Sequence, residues 1–469
     1  MTRIKFGTDG WRAIIAEDFT FENIRVVSQA IADYVKGSGT GRKIAVGYDT
    51  RFMGREFACA VAGVLAGNGI NVFLSKEPTS TPALSLSIKQ NGFTGGIMVT
   101  ASHNPPHYSG IKYKADYAGP ADPDIIKGIE DLLSKNPTQA LPFEEGEKKG
   151  LIKELDFNRP HLKFLKSYLD LKALKRLKAK ILVDVMHGAG DHLVEKILEG
   201  GACGIRTIHS DNNPGFGGIA PEPIERNLQE LIALVKKEKC DIGLATDGDA
   251  DRIGAVGPDG KFITSSQIIS LLLVHFVEDK KWSGAVAKTI SASFLIDRIA
   301  KAFKLKLYET PVGFKHICKL MQTDDILIGG EESGGIGFKN YVPERDGTLA
   351  GALLLEMMAH RKKSISRIVK DIEKRFGRFC QERADLEYPD DKKARLFSQL
   401  KENPPKALLG KKVTEIKTYD GIKLICEDKS WILFRASGTE PILRIYCETG
   451  SEKTVKKLLA FGKQLALNI

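Results

Sequence analysis

The sequence predicts an α/β protein of four domains: three related mixed-sheet α/β domains and a C-terminal antiparallel α+β domain. Three observations carry this. A strand–helix–strand pattern recurs three times at wide spacing. After residues 376–377 that pattern gives way to short strands and a closing helix. A length of 469 residues suits three or four domains of ordinary size.

The first pattern is a strand over residues 43–49 (KIAVGYD), a helix over 56–67 closed by glycine, and a strand over 71–74. Residues 180–186 (KILVDVM), 192–201 and 204–208 repeat it, and so do 284–290 (GAVAKTI), 293–303 and 306–308. Each has β-branched strands around a helix of 3.6-residue period, the make-up of a βαβ unit. Three such units far apart predict three related domains. The first boundary falls in residues 136–150, rich in Pro, Glu, Lys and Gly and poor in apolar side chains. A helix over about 160–178 then leads into the second domain. The turn Val256-Gly257-Pro258-Asp259-Gly260 marks the second boundary, and the third follows a helix from Ile365 that ends at Phe376-Gly377. The expected domains are therefore 1–145, 146–258, 259–376 and 377–469. In the last, a charged, proline-bearing stretch (388–412) precedes strands at 422–426, 431–434 and 442–447 and a helix from about Ser451, an antiparallel arrangement.

Composition narrows the class. Apolar residues make up 42% and charged residues 28%, as in a soluble globular protein with real cores. The opening MTRIKFGTDGWR has no apolar h-region, so no signal peptide is expected. The longest apolar run, 268–277, contains His275 and is too short to span a membrane, so no membrane partner is expected. The seven cysteines are scattered and never form CxxC, which indicates neither disulfides nor a zinc site and points to a cytoplasmic location. The net charge of +11 comes with lysine-rich helix faces such as LKALKRLKAK (171–180), but with no basic tail and no nucleic-acid module. A solvated lysine surface with a few phosphate-binding cations accounts for it, without a nucleic-acid partner. The assembly stays open between monomer and homodimer.

Five stretches carry chemistry. In GGIMVTASHNPP (95–106) a short apolar strand is stopped by Asn104-Pro105-Pro106, so Ser102 and His103 stand at its lip. A hydroxyl there is a candidate nucleophile or phosphoryl acceptor; alone, the pair also fits an ordinary polar turn. Lys112 follows within Ser109-Gly110-Ile111-Lys112, near enough to fold back over that turn. DGDADR follows the strand at 242–245 and sets Asp247, Asp249 and Asp251 at alternate positions, where they can converge on one hard cation. An EF-hand is excluded, because its sixth and twelfth positions hold Arg252 and Pro258. GGEESGG (329–335) offers Glu331 as acceptor and Ser333 as donor for sugar hydroxyls, and Thr310-Pro311-Val312-Gly313-Phe314-Lys315 precedes it. In RASGTEP (435–441), Arg435, Ser437, Gly438 and Thr439 make an anion nest of forked cation, hydroxyls and backbone amides. FGTDGWR (6–12) alone is a turn followed by a surface arginine.

The serine, aspartate, sugar and anion-nest stretches, in that order and one per expected domain along nearly the whole chain, resemble those of the α-D-phosphohexomutases, the phosphoglucomutase/phosphomannomutase family. The resemblance implies four domains around a central cleft and a reversible transfer of phosphate between C1 and C6 of a hexose phosphate. Ser102 would carry the phosphoryl group, and Mg²⁺ would be held by the three aspartates and the phosphoryl oxygen on Ser102. Arg252 would face substrate or phosphoserine, and Arg12 phosphate. Glu331 and Ser333 would grip the 3- and 4-hydroxyls, with Gly313 and Lys315 completing the sugar side. Arg435, Ser437, Gly438 and Thr439 would hold the phosphate that is not reacting. Glucose 1,6-bisphosphate is implied as intermediate and activator. Lys112, with a pKa lowered by burial or nearby cations, is the expected general acid/base, and His103 shares the role or shapes the site. Glu332 points to glucose 1-phosphate over mannose or glucosamine phosphates. The rival classes are a Mg²⁺-dependent sugar phosphatase and a non-catalytic sugar-phosphate binder.

Overall fold

The computed structural model describes residues 4–39, 41–436 and 441–468. The chain divides into two compact units, Met1–Ala285 with Gly313–Ile368, and Val286–Val312 with Val369–Ile469.

The first unit holds two large mixed sheets. One has six strands in the order Trp11–Ile14, Tyr108–Ala115, Gly95–Val99, Lys43–Tyr48, Asn71–Ser75, Ile152–Leu155. Its last four strands run parallel to one another, while Tyr108–Ala115 is antiparallel to both of its neighbours. The buried strand Gly95–Val99 is continuously apolar after its glycines, as expected of a strand covered on both faces. The second sheet runs Phe262–Ile263, Ile253–Val256, Ile242–Thr246, Lys180–Asp184, Gly204–Ile208. A third, antiparallel pair joins Ile326–Gly330 to Ile336–Phe338. Helix ends follow local chemistry. Thr20 caps Phe21–Ser38, Ser80 caps Thr81–Asn91, and Thr264 with Gln267 forms a capping box on Ser265–Glu278. That last helix contains the apolar run at 268–277. Among the described residues no helix is long and apolar enough to cross a membrane.

In the second unit, Ala285–Thr289 from Val286 onward pairs in parallel with Leu307–Thr310, around helix Phe294–Ala302. The rest is a six-stranded antiparallel sheet in the order Cys380–Glu387, Ile442–Thr449, Trp431–Ala436, Ile422–Cys426, Lys411–Lys417, Ala407–Leu408. Helix Glu452–Leu467 packs on it.

Two expectations change. The single helix over 160–178 is two, Asn158–Tyr168 and Leu171–Arg176, because the Asp170 side chain accepts from the Ala173 amide and starts a new helix. The linker at 136–150 carries helix Phe143–Lys148, and strand Ile152–Leu155 beyond it joins the first sheet, past the expected boundary at 145/146.

Candidate active site

All of the following side chains belong to the first unit unless stated. Strand Gly95–Val99 ends at Thr100, and Ser102 is buried with φ of 52°. Its amide donates to Thr100 Oγ1 at 2.8 Å, and Thr100 Oγ1 donates to Asp49 Oδ2 at 2.5 Å. Burial pushes the Asp49 carboxyl up to about 6, against the pull of Arg51. The predicted strand lip is real, and it is held from beneath by Asp49, the last residue of the expected strand 43–49, with Arg51 two residues beyond it.

Strand Ile242–Thr246 delivers the aspartates. Asp247, Asp249 and Asp251 are fully buried, and each offers an oxygen within 4.8 Å of the others'. Ser102 Oγ donates to Asp247 Oδ2 at 2.8 Å, which joins the serine and aspartate loops. Asp247 Oδ1 accepts the amides of Asp251 (2.9 Å) and Arg252 (3.1 Å), fixing the turn. Thr81, at the start of helix Thr81–Asn91, donates from Oγ1 to Asp249 Oδ2 at 2.5 Å. Asp249 Oδ1 and Asp251 Oδ1 are buried without a hydrogen-bond partner. Orphaned carboxylate oxygens are costly, and these, with Asp247, form the hard-oxygen set that a divalent cation such as Mg²⁺ takes. Burial, then Asp251 and Asp249, push Asp247 well above the usual carboxylate range, a repulsion that a bound cation would relieve.

Cations face this cluster. Lys112 lies on strand Tyr108–Ala115, and its Nζ is 2.6 Å from Asp249 Oδ2, 3.2 Å from Asp9 Oδ2 and 3.3 Å from Asp251 Oδ2. The expected lowering of its pKa is corrected: burial pulls it down, but Asp249, Asp251 and Asp9 outweigh burial and raise it. Arg345 reaches Asp9 (2.5 Å) and Asp251 (2.7 Å), and buried Lys114 reaches Glu344 (2.5 Å). No motif in the sequence marks Asp9, Lys114, Glu344 or Arg345 as site residues. Asp9 stood inside FGTDGWR, and Glu344-Arg345 lie in PER just before the capping Asp346 of helix Gly347–Arg361, a charged cluster where a plain helix start needs only the cap.

Of the remaining expected residues, His103 Nδ1 is 3.3 Å from Ser102 Oγ. Burial, then Arg252 and Arg12, hold this imidazole well below its ordinary pKa and so neutral. Arg12 Nη1 donates to Asn104 Oδ1 at 2.7 Å. Arg252 Nε is 3.9 Å from Asp247 Oδ2 and 4.0 Å from Asp251 Oδ1. A bridge between Arg252 and Gly335, and the Ile253 amide donating to Gly334 O, tie the aspartate loop to the GGEESGG loop. Glu331 is buried, its Oε1 accepts the Gly313 amide at 3.0 Å, and burial pushes it up to about 7 against Arg345. Gly313 has φ of 125° and a Cβ there would lie 3.1 Å from the Thr8 methyl, so glycine is needed. Ser333 is half-buried. Lys315 lines a cavity of about 150 Å³ with Thr8, Asp9 and Glu130. The structure thus brings together the predicted serine, aspartate and sugar loops. Arg435 belongs to the second unit, where its Nε donates to both Asp420 oxygens at 3.0 Å. Ser437, Gly438 and Thr439 lie outside the described residues.

Comparison with known proteins agrees along the whole chain. Models of the phosphoglucomutase/phosphomannomutase α/β/α domains I, II and III match residues 3–140, 159–260 and 264–376, and the C-terminal domain model matches 386–461. A phosphoglucomutase/phosphomannomutase of Thermococcus kodakarensis is 31% identical over 98% of each chain. A phosphoglucomutase of Komagataeibacter xylinus is 28% identical over 95% of this chain and 87% of its own. A phosphoglucosamine/phosphogalactosamine mutase of Sulfurisphaera tokodaii is 30% identical over 97% of each. The crystal structure of a candidate phosphomannomutase from Thermus thermophilus superposes with a TM-score of 0.87 at 36% identity, over 99% of each chain.

Proposed function

The chain belongs to the phosphoglucomutase/phosphomannomutase family of phosphohexomutases, and from that premise we propose that it interconverts glucose 1-phosphate and glucose 6-phosphate through phosphoserine 102 and glucose 1,6-bisphosphate. One observation carries the proposal: the buried Ser102 hydroxyl lies 2.8 Å from Asp247, one of three convergent aspartates, two of which keep oxygens without hydrogen-bond partners.

Asp247, Asp249, Asp251 and the Ser102 oxygen would hold Mg²⁺, which supplies charge neutralisation to a transferring phosphoryl group. The chain's own residues do the rest. Ser102 gives its phosphoryl group to the free hydroxyl of the sugar phosphate and takes back the other from the bisphosphate. His103, held neutral beside Ser102, accepts a proton. Lys112, held protonated among Asp249, Asp251 and Asp9, donates one. Arg12 and Arg252 bind phosphate oxygens, and Glu331, Ser333, Gly313 and Lys315 bind the sugar. Arg435 with Ser437, Gly438 and Thr439 holds the distal phosphate in either orientation. The preference for glucose rests on Glu332 in GGEESGG. The relatives' names span glucose, mannose and glucosamine, so the sugar itself needs an assay.

The test compares kcat/KM for glucose, mannose and glucosamine 1-phosphates with added bisphosphate, and maps phosphate on Ser102 by peptide mass. Isomer product with phosphoserine 102 is expected. Release of free phosphate instead would make the protein a phosphatase, and a higher kcat/KM on mannose or glucosamine 1-phosphate would overturn only the sugar.

A further inference from the structure

We propose that Arg51 is the positioning residue for the phosphoryl-accepting serine, acting through the backbone of its loop and not on substrate; the inference rests on the assignment of Ser102 above. Ser102 sits at φ of 52°, in the left-handed region. A non-glycine residue is strained there and persists only where its surroundings over-determine it. Arg51 supplies most of that determination. It is 3% exposed. Its Nη2 donates to Ser102 O (2.7 Å) and Asn104 O (2.6 Å), and its Nη1 to Pro105 O and Tyr108 O (both 2.9 Å). One guanidinium thus takes four backbone carbonyls, three in the turn from Ser102 to Pro105 and one at the start of the strand that follows it. The turn needs an outside donor, because Pro105 and Pro106 remove two amides that could have tied it to itself.

The guanidinium is itself pinned. Its Nε is 3.3 Å from Asp49 Oδ2, and its flat face lies 4.9 Å from the ring centre of Phe216. Asp49 Oδ2 also receives the Thr100 hydroxyl, whose oxygen accepts the Ser102 amide. Ser102 is therefore gripped at its carbonyl by Arg51 and at its amide by Thr100, and both grips meet at Asp49. On the far side there is no slack: a Cβ on Gly248 would fall 2.5 Å from Ser102 O. A shift of the serine backbone therefore carries its hydroxyl away from Asp247. Lysine would keep the charge opposite Asp49, but a point ammonium cannot span four carbonyls as a planar fork does.

The experiment compares wild type with Arg51→Lys and Arg51→Ala for kcat and KM on glucose 1-phosphate with bisphosphate added, below the melting temperature of each. In Arg51→Lys, kcat should fall about a hundredfold, the cost of misplacing a reacting group by about 1 Å. KM should stay within about threefold, because no substrate contact is removed. Methylguanidinium added to Arg51→Ala should restore part of kcat. The inference is overturned if Arg51→Lys turns over as wild type does, if KM rises while kcat holds, or if the loss of rate follows the unfolded fraction alone. Wild type that isomerises no hexose phosphate would remove the serine assignment and this inference together. An active wild type with an unaffected lysine variant would remove this inference only.

Discussion

Two buried clusters of charge, one in each unit, are built on opposite rules. In the first unit Asp247, Asp249 and Asp251 bring like charges together, each offering an oxygen within 4.8 Å of the others'. In the second unit opposite charges alternate. Buried Lys288 pairs with Asp297 and lies 3.6 Å from Glu309, which also accepts Lys417 (2.8 Å) and the Tyr419 hydroxyl (2.6 Å). Lys288 and Lys423 hold the Glu309 carboxyl down to about 2 against the effect of burial. Buried Glu448 accepts the Phe294 amide (3.0 Å) and the Trp431 indole N–H (2.9 Å). Aromatic faces close the cluster: Lys423 Nζ is 3.9 Å from the Trp431 ring centre. Burial of charge is thus common to both and diagnostic of neither. Convergence of like charges marks a place for a ligand, whereas alternation serves packing.

The comparison predicts that substitutions in the first cluster cost chemistry and those in the second cost stability. Ser102→Ala should show the largest effect: turnover falls to background and no phosphate appears on the protein, with the fold intact by circular dichroism. Normal turnover by that variant would break the comparison at its centre. Asp247→Asn should follow, losing at least about 10²-fold in activity, as loss of one preorganised electrostatic group does. Because burial, then Asp251 and Asp249, disfavour the charged form of Asp247, the amide should melt no lower than wild type without Mg²⁺. Wild type should then gain in melting temperature on adding Mg²⁺, by mass action on the folded state, and the variant should gain less. Equal Mg²⁺-induced shifts would remove Asp247 from the ligand set.

Lys288→Met tests the other cluster. It leaves Asp297 and Glu309 without their buried cation, and breaking a buried pair costs on the order of 3–5 kcal/mol. Asp297 is partly exposed, so we expect about 3 kcal/mol, read from urea denaturation. Turnover per folded molecule should stay near wild type. A stable variant with collapsed kcat would show that the alternating cluster also serves the chemistry.

The contrast also explains what could be read from the sequence. DGDADR places its aspartates at alternate positions of one loop, so convergence is visible in six letters. TASHNPP is a strand stopped by prolines, equally local. The recurring βαβ patterns are local too, and they led directly to the sheets. Arg51, Asp9 and Arg345 lie far from their partners in sequence; Arg345 meets Asp9 across 336 positions. No spacing rule reports such a pair. The sign of the Lys112 shift was illegible for the same reason, since it depends on Asp249, Asp251 and Asp9 outweighing burial. The break at Asp170 was hidden because a lysine- and leucine-rich run keeps helical periodicity through a residue whose side chain prefers to cap.

The effect sharpest on sign, read as a pH dependence, concerns Lys423. Its ammonium is fully buried, donates to Ile290 O at 2.5 Å and is faced by Lys288, Glu309, Glu448 and Asp297. Burial, then Lys288, lower its pKa to about 7, and the three carboxylates only partly offset them. In the unfolded chain a lysine titrates near 10.4. Between about pH 7 and 10 the unfolded state therefore binds more protons than the folded state, so stability rises with pH at up to about 1.4 kcal/mol per unit. Below about pH 7 the folded state carries the full cost of charging a buried amine. Lys423→Met removes that titration and leaves Ile290 O without its donor, a loss of about 1 kcal/mol. The variant should exceed wild type at pH 6, come level with it near pH 9.5, and show a flatter pH dependence between. Other titrating groups are common to both proteins, so the difference between their urea-denaturation curves isolates this one. Parallel curves from pH 6 to 9.5 would mean that Lys423 keeps its charge across the range, with its carboxylate neighbours, and not burial, deciding the balance.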